Sequence, residues 1–168
     1  MDKVNQRRLY NAISTIRKAQ MKVRLHINRL ERRLRSKRTT REEKGILLGM
    51  LRTLYYIDYI LEWMITRAET LLITGLVTSR DLELIKEVFY KAHKEFSGIE
   101  QDLIVSLSEI GDLIASVNIG TSTPVDVFES TNLSFTTLEK EREIDIIMNE
   151  AQQYADNKIK TLVEKGVS

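Results

Sequence analysis

From Leu9 onward the chain places an apolar residue every three or four positions: Leu9, Ile13, Ile16, Val23, Ile27, Leu30 and Leu34. Gln20 fills the single missing place. Alternating threes and fours make a heptad seam, which predicts a helix over about 5–36. The polar run Ser36-Lys37-Arg38-Thr39-Thr40 interrupts it. Thr39 or Thr40 then serves as N-cap, Glu42 and Glu43 lie in the following turn, and Thr39 with Glu42 has capping-box spacing. A second stripe follows at Leu47, Met50, Leu54, Ile57, Leu61, Met64, Ala68 and Leu71. Two seams of matching length across a short turn predict an antiparallel helical hairpin over about 5–74, each arm about 48 Å long at 1.5 Å per residue.

Thr74-Gly75 stops the second arm, because glycine is favoured just past a helix end. It is also the natural hinge if the second and third helices merge. A third helix is expected over about 79–96 and a fourth over about 99–117, with Leu103, Leu107, Ile110 and Ile114 as its stripe. Residues 118–136 carry Gly120, Pro124 and many Ser and Thr, and read as a flexible linker. Thr136 and Glu139 have the spacing of a capping box and open a last helix within 137–168. Its stripe is Ile144, Met148, Ala151, Ala155, Ile159 and Leu162. A lone amphipathic helix cannot bury its own face, so it must fold back or dock on another chain. The expected fold is all-α: a helical core over 1–117, a linker and a tethered acidic helix.

Charge is polarised along the chain. Residues 1–44 hold 15 Lys/Arg against 4 Asp/Glu, and residues 95–168 hold 5 against 14. The overall net charge of only +2 hides this. A basic head suggests an anionic partner, and the acidic tail could mask that head within one chain. The absence of cysteine removes disulfides, thiol nucleophiles and thiolate metal sites. The most apolar stretch, Ile46–Ile65, is interrupted by Arg52, Asp58 and Glu62 and falls short of a spanning helix. The first twenty residues lack the apolar core of a secretory signal, so a cytoplasmic protein is expected.

Enzyme signatures are missing: no glycine-rich phosphate loop, nucleophile elbow, HExxH or EF-hand pattern occurs. His26 and His93 stand far apart with no ligand at metal-site spacing and read as packing or surface residues. Glu139, Glu141, Glu143 and Asp145 read as a solvated helix start. Trp63, Tyr55, Tyr56 and Tyr59 read as packing against the third and fourth helices. A non-enzyme without a cofactor is expected.

The first helix is more informative. At about 100° per residue, Lys18, Lys22, Arg29, Arg32 and Arg33 fall on the side opposite the apolar seam. Met21 and Leu25 lie among them, with Tyr10 close by. Basic residues interleaved with apolar ones suit an anionic membrane surface, and these seven, Lys18 to Arg33 with Met21 and Leu25, are the candidate membrane contacts. The rival readings are a nucleic-acid-binding protein and a plain coiled-coil adaptor. Nucleic acid is disfavoured by the missing helix-turn-helix signature and by the acidic C-terminal block.

The order of segments also resembles a known family. A basic first helix containing Arg29-Leu30-Glu31, a second ending in Arg67-Ala68-Glu69-Thr70, two short helices, a linker and an acidic helix with Ile147-Met148-Asn149-Glu150-Ala151 resemble the ESCRT-III superfamily. Within that superfamily the chain resembles the archaeal CdvB-like cell-division proteins in particular. The resemblance implies a polymer subunit without catalysis, which forms filaments or rings with itself and its paralogues at the inner face of the cell membrane. It implies roles in scission or division, and an AAA ATPase partner engaged directly or through a paralogue. It also implies that the last helix, through Ile144, Met148, Ala151, Ile159 and Leu162, contacts a neighbour's hairpin tip around Lys37 and Arg38. A single proline leaves no proline-rich ATPase-binding tail, and no winged-helix segment follows, so a short paralogue or a truncated chain is expected.

Overall fold

The two heptad seams meet as an antiparallel hairpin of α1 (Lys3–Arg35) and α2 (Arg41–Thr74). The structure, a computed structural model, describes residues 3–75, 79–96, 98–117 and 127–167, the side chains of 79, 127–137, 166 and 167 excepted. Every apolar seam residue of α1 is buried, and Gln20 is buried with them, its amide donating to Glu62 at 2.7 Å. Register is fixed at three further levels: Arg17 pairs with Glu69, Arg24 with Asp58 at 3.0 Å, and the Tyr55 hydroxyl donates to Glu31. At the tip, Thr40 rather than Thr39 caps α2, accepting from the Glu43 amide at 3.2 Å. Thr39 is diverted because its hydroxyl donates to the Arg33 carbonyl.

Three further helices complete the all-helical fold: α3 (Ser79–His93), α4 (Gln101–Ser116) and α5 (Val127–Leu162). Gly75 ends α2 in the left-handed region at φ 65°, where a side chain would be strained, and its amide donates to the Leu71 carbonyl. α3 packs back along α2, with Arg67 and Asp81 meeting at 3.5 Å. Phe89 is the anchor of α3, buried beside Phe96 and against Gly111 of α4. α4 lies antiparallel on α1, as the contacts Lys22–Ser106 and Arg8–Ser116 carbonyl require.

The last helix folds back onto its own chain. α5 runs along α2 and α3, burying Ile144, Ile147, Met148, Ala151, Ala155 and Leu162, with Ile159 half-buried. Asp156 accepts from Arg52 at 2.6 Å, Asp145 from Lys91 at 2.9 Å, and Arg80 pairs with Glu139 at 3.3 Å. Lys140 sits between Glu83 and Glu87 at 3.0 and 2.6 Å. Burial alone would lower its pKa, but the hydrogen bonds to Glu87 and Glu83 outweigh it and the net shift is upward.

α5 also begins earlier than the sequence suggests. Its backbone is helical from Val127, so the latter half of the expected linker 118–136 belongs to the helix. The remainder, 118–126, lies outside the described residues.

The larger correction concerns α2. The single stripe read from the sequence accounts for its α1 face alone. Tyr55, Tyr56, Ile60 and Ile65 are buried as well, because α1, α3 and α5 all pack on this helix. A helix that is apolar nearly all round is a central helix. Met50 of the expected stripe is only partly buried.

Candidate functional site

The side of α1 turned away from the seam is open. Tyr10, Met21 and Leu25 are 67, 67 and 61% exposed, an unusual concession for three large apolar side chains on one helix. Lys18, Arg29, Arg32 and Arg33 surround them, all exposed. None of these four engages a carboxylate among the described residues. The cations flanking α2 behave differently: Arg17 pairs with Glu69, Arg24 with Asp58 and Glu62, and Arg35 with Glu31. The basic helix is therefore divided into a neutralised flank and an unpaired outer face.

Lys22 departs from the expectation. Its ammonium donates to Ser106 of α4 at 2.9 Å, so it belongs to the α1–α4 contact and only borders the outer face. Sequence reasoning read it as free because α4 was not placed on α1. Conversely, Arg7 joins the outer face although it is not among the expected contacts. It lies eighteen residues before Leu25, about five full turns, and so projects in the same direction. It too is exposed.

Among the described residues, α5 does not mask this face. Its carboxylates Asp156, Glu139 and Asp145 are directed to Arg52, Arg80 and Lys91 on α2 and α3. Charge complementarity between the two ends of the chain was visible in the sequence, but the apolar stripe of α5 decided where it docked. The residues assigned to a subunit contact, Ile144, Met148, Ala151, Ile159 and Leu162, are covered within the same chain. Lys37 and Arg38 are exposed at the hairpin tip.

The aromatic residues of α2 do not pack on α4 as expected. Tyr56 reaches Met148 of α5 at 3.6 Å, and Tyr59 donates to Glu150 at 2.8 Å with its ring 5.4 Å from Tyr154. Burial and the hydrogen bond to Glu150 push the Tyr59 phenol up to about 12. Burial, reinforced by Glu31 for Tyr55 and by Glu95 for Tyr56, pushes both of these phenols further up. Trp63 lines a shallow crevice with Arg67, Thr70 and Asp81 where α2 meets α3. Tyr56 and Tyr59 are docking contacts for α5, whereas Tyr55 ties α2 to α1 through Glu31.

His26 also has partners that its position in the sequence concealed. Its ring is buried on α1, and the N-terminal end of α4 brings Glu100 to 3.5 Å from Nδ1 and Asp102 to 3.4 Å from Nε2. His93 is exposed and stacks near Phe89 and Phe96.

No helix among the described residues is long and apolar enough to cross a membrane. Compared with family models, curated proteins and solved structures, the chain has no match.

Proposed function

We propose that this protein is a non-enzymatic membrane-surface protein whose α1 outer face docks on anionic lipid. The observation that carries the reading is the interleaving of exposed Tyr10, Met21 and Leu25 with the unpaired cations Lys18, Arg29, Arg32 and Arg33. A solvated face has no use for the apolar members, and a phosphate backbone is contacted by cations and hydrogen-bond donors, which Met21 and Leu25 do not supply. A lipid headgroup region accepts both. Four cations at about 1 kcal/mol each give about 4 kcal/mol, a dissociation constant near the millimolar range for one molecule. Useful binding then requires many linked copies, since multivalency multiplies weak contacts.

Assembly into filaments or rings, for scission or division, is the finer part of the proposal and rests on the ESCRT-III resemblance. In that reading the closed chain is the resting form, and release of α5 frees α2 for a neighbouring copy or paralogue. An AAA ATPase, acting directly or through a paralogue, would take the assembly apart at the inner face of the cell membrane.

Co-sedimentation tests the surface. The full chain is mixed with vesicles carrying phosphatidylserine, with neutral vesicles, and with duplex DNA, at two salt concentrations. Binding to the anionic vesicles alone is expected. The triple reversal Lys18→Glu, Arg29→Glu, Arg32→Glu removes three attractions and adds three repulsions, about 6 kcal/mol in all, and abolishes it. Helix content stays intact because Glu is as good a helix former as Lys or Arg. Preferential DNA binding, or full vesicle binding by the folded triple variant, overturns the reading.

A further inference from the structure

The geometry points to a divalent transition-metal site, of the Zn2+ class, formed by His26, Glu100 and Asp102. It would staple the N-terminal end of α4 to the middle of α1. Antiparallel packing of the two helices creates it. Lys22 meets Ser106, and one turn further along α1 His26 faces Asp102, one turn back on α4. The extended residue before α4, Glu100 at φ −65° and ψ 148°, adds the second carboxylate.

Glu100 occupies the N-cap position of α4, yet its side chain makes no capping hydrogen bond. Glutamate is a poor cap, and here its carboxylate is directed at the imidazole instead. His26 is only 8% exposed, so its ring is held in place by packing. Glu100 and Asp102 are more than half exposed and leave an entry path from solvent. One ligand atom from each of the three residues lies within 4.8 Å of the others.

The separations suit an ion better than a direct bond. Charge-assisted N–H···O contacts close to about 2.7–2.9 Å. The contact from His26 Nε2 to Asp102 Oδ2 is 3.4 Å. Tetrahedral ligands bonded at about 2.1 Å stand about 3.4 Å apart. A metal uses one ring nitrogen, Nε2, beside Asp102. The exposed Glu100 side chain then moves in from the Nδ1 side, and water completes the shell. A neutral imidazole with two carboxylates balances the charge of Zn2+, and the nitrogen donor disfavours Mg2+ and Ca2+, which take oxygen ligands. The neighbouring cations of α1 are Lys22, committed to Ser106, and Arg29, which is exposed.

Calorimetric titration of the full chain with ZnCl2 at neutral pH tests the site, with MgCl2 as the competing hard cation. One equivalent of Zn2+ should bind, unaffected by Mg2+. At a tenfold excess over the dissociation constant the melting midpoint should rise by about 3–5 °C, and a chelator should reverse it. His26→Gln and Asp102→Asn should each weaken binding at least tenfold, while His93→Gln leaves it unchanged. Asp102 is exposed, so its variant folds even if the buried His26 variant does not. No Zn2+ binding below millimolar concentration overturns the assignment, as does binding that survives Asp102→Asn. Stabilisation by acid in the presence of chelator, lost in His26→Gln and indifferent to Zn2+, also overturns it and makes His26 a proton-operated clasp.

Discussion

Detaching α5 should be possible without melting the hairpin, and the balance of energies says how many side chains must be cut. Four large residues, Ile144, Ile147, Met148 and Leu162, are each at most 7% exposed on this helix. Fully burying such side chains contributes about 1.5–3 kcal/mol each, hence about 6–12 kcal/mol in gross terms. That is an upper value, because a realistic unfolded chain already hides part of its apolar surface. The ion pairs of Arg52, Arg80 and Lys91 with α5 join largely exposed partners, and such pairs contribute about 0–1 kcal/mol each. Against these stands the entropy of ordering a whole helix and its side chains.

Truncating Ile144 and Met148 together to Ala costs about 2–5 kcal/mol per site, a large part of the gross attraction. Amide hydrogen exchange should then show residues 139–162 losing protection while α1 and the seam side of α2 keep theirs. Light scattering at rising protein concentration should show the uncovered Tyr56 and Tyr59 face promoting self-association. If α5 amides stay as protected as those of α2, or if both regions lose protection together, α5 belongs to one cooperative unit with the hairpin. The release step in the proposed function would then fail.

The remaining expectations separate the two faces of α1–α2 and test the buried phenols. Leu61, fully buried, should lose about 2–5 kcal/mol on replacement by Ala, whereas Lys18→Ala on the outer face should stay within about 0.5 kcal/mol; similar denaturation midpoints would mean the faces are reversed. Tyr59 ionises near 12 when folded and near 10 when unfolded, so its contribution is intact below about pH 10 and is lost as pH rises through 12. Tyr55 and Tyr56, also raised, add to the same alkaline loss. Alkaline unfolding followed by circular dichroism should become shallower in Tyr59→Phe, and an unchanged profile would place that phenol in solvent.

Much of the architecture was legible because helix period and capping are local properties. The stripe from Leu9 to Leu34, the break at Ser36–Thr40 and the stop at Gly75 all follow from neighbours within one or two turns. Most of the open face of α1 was legible as well, since Lys18, Arg29, Arg32 and Arg33 stand opposite the seam and are exposed. Partner choice was not. Whether α5 masked α1 or covered α2 depended on shape complementarity between helices about ninety residues apart in the chain, and α2's second apolar face was hidden behind its regular first stripe. Lys22 read as free until α4 brought Ser106 to it. His26 read as inert until the same packing delivered two carboxylates from 74 and 76 residues away. Local periodicity sets which side of each helix seeks burial. Only the packing of all five decides which polar groups that burial brings face to face.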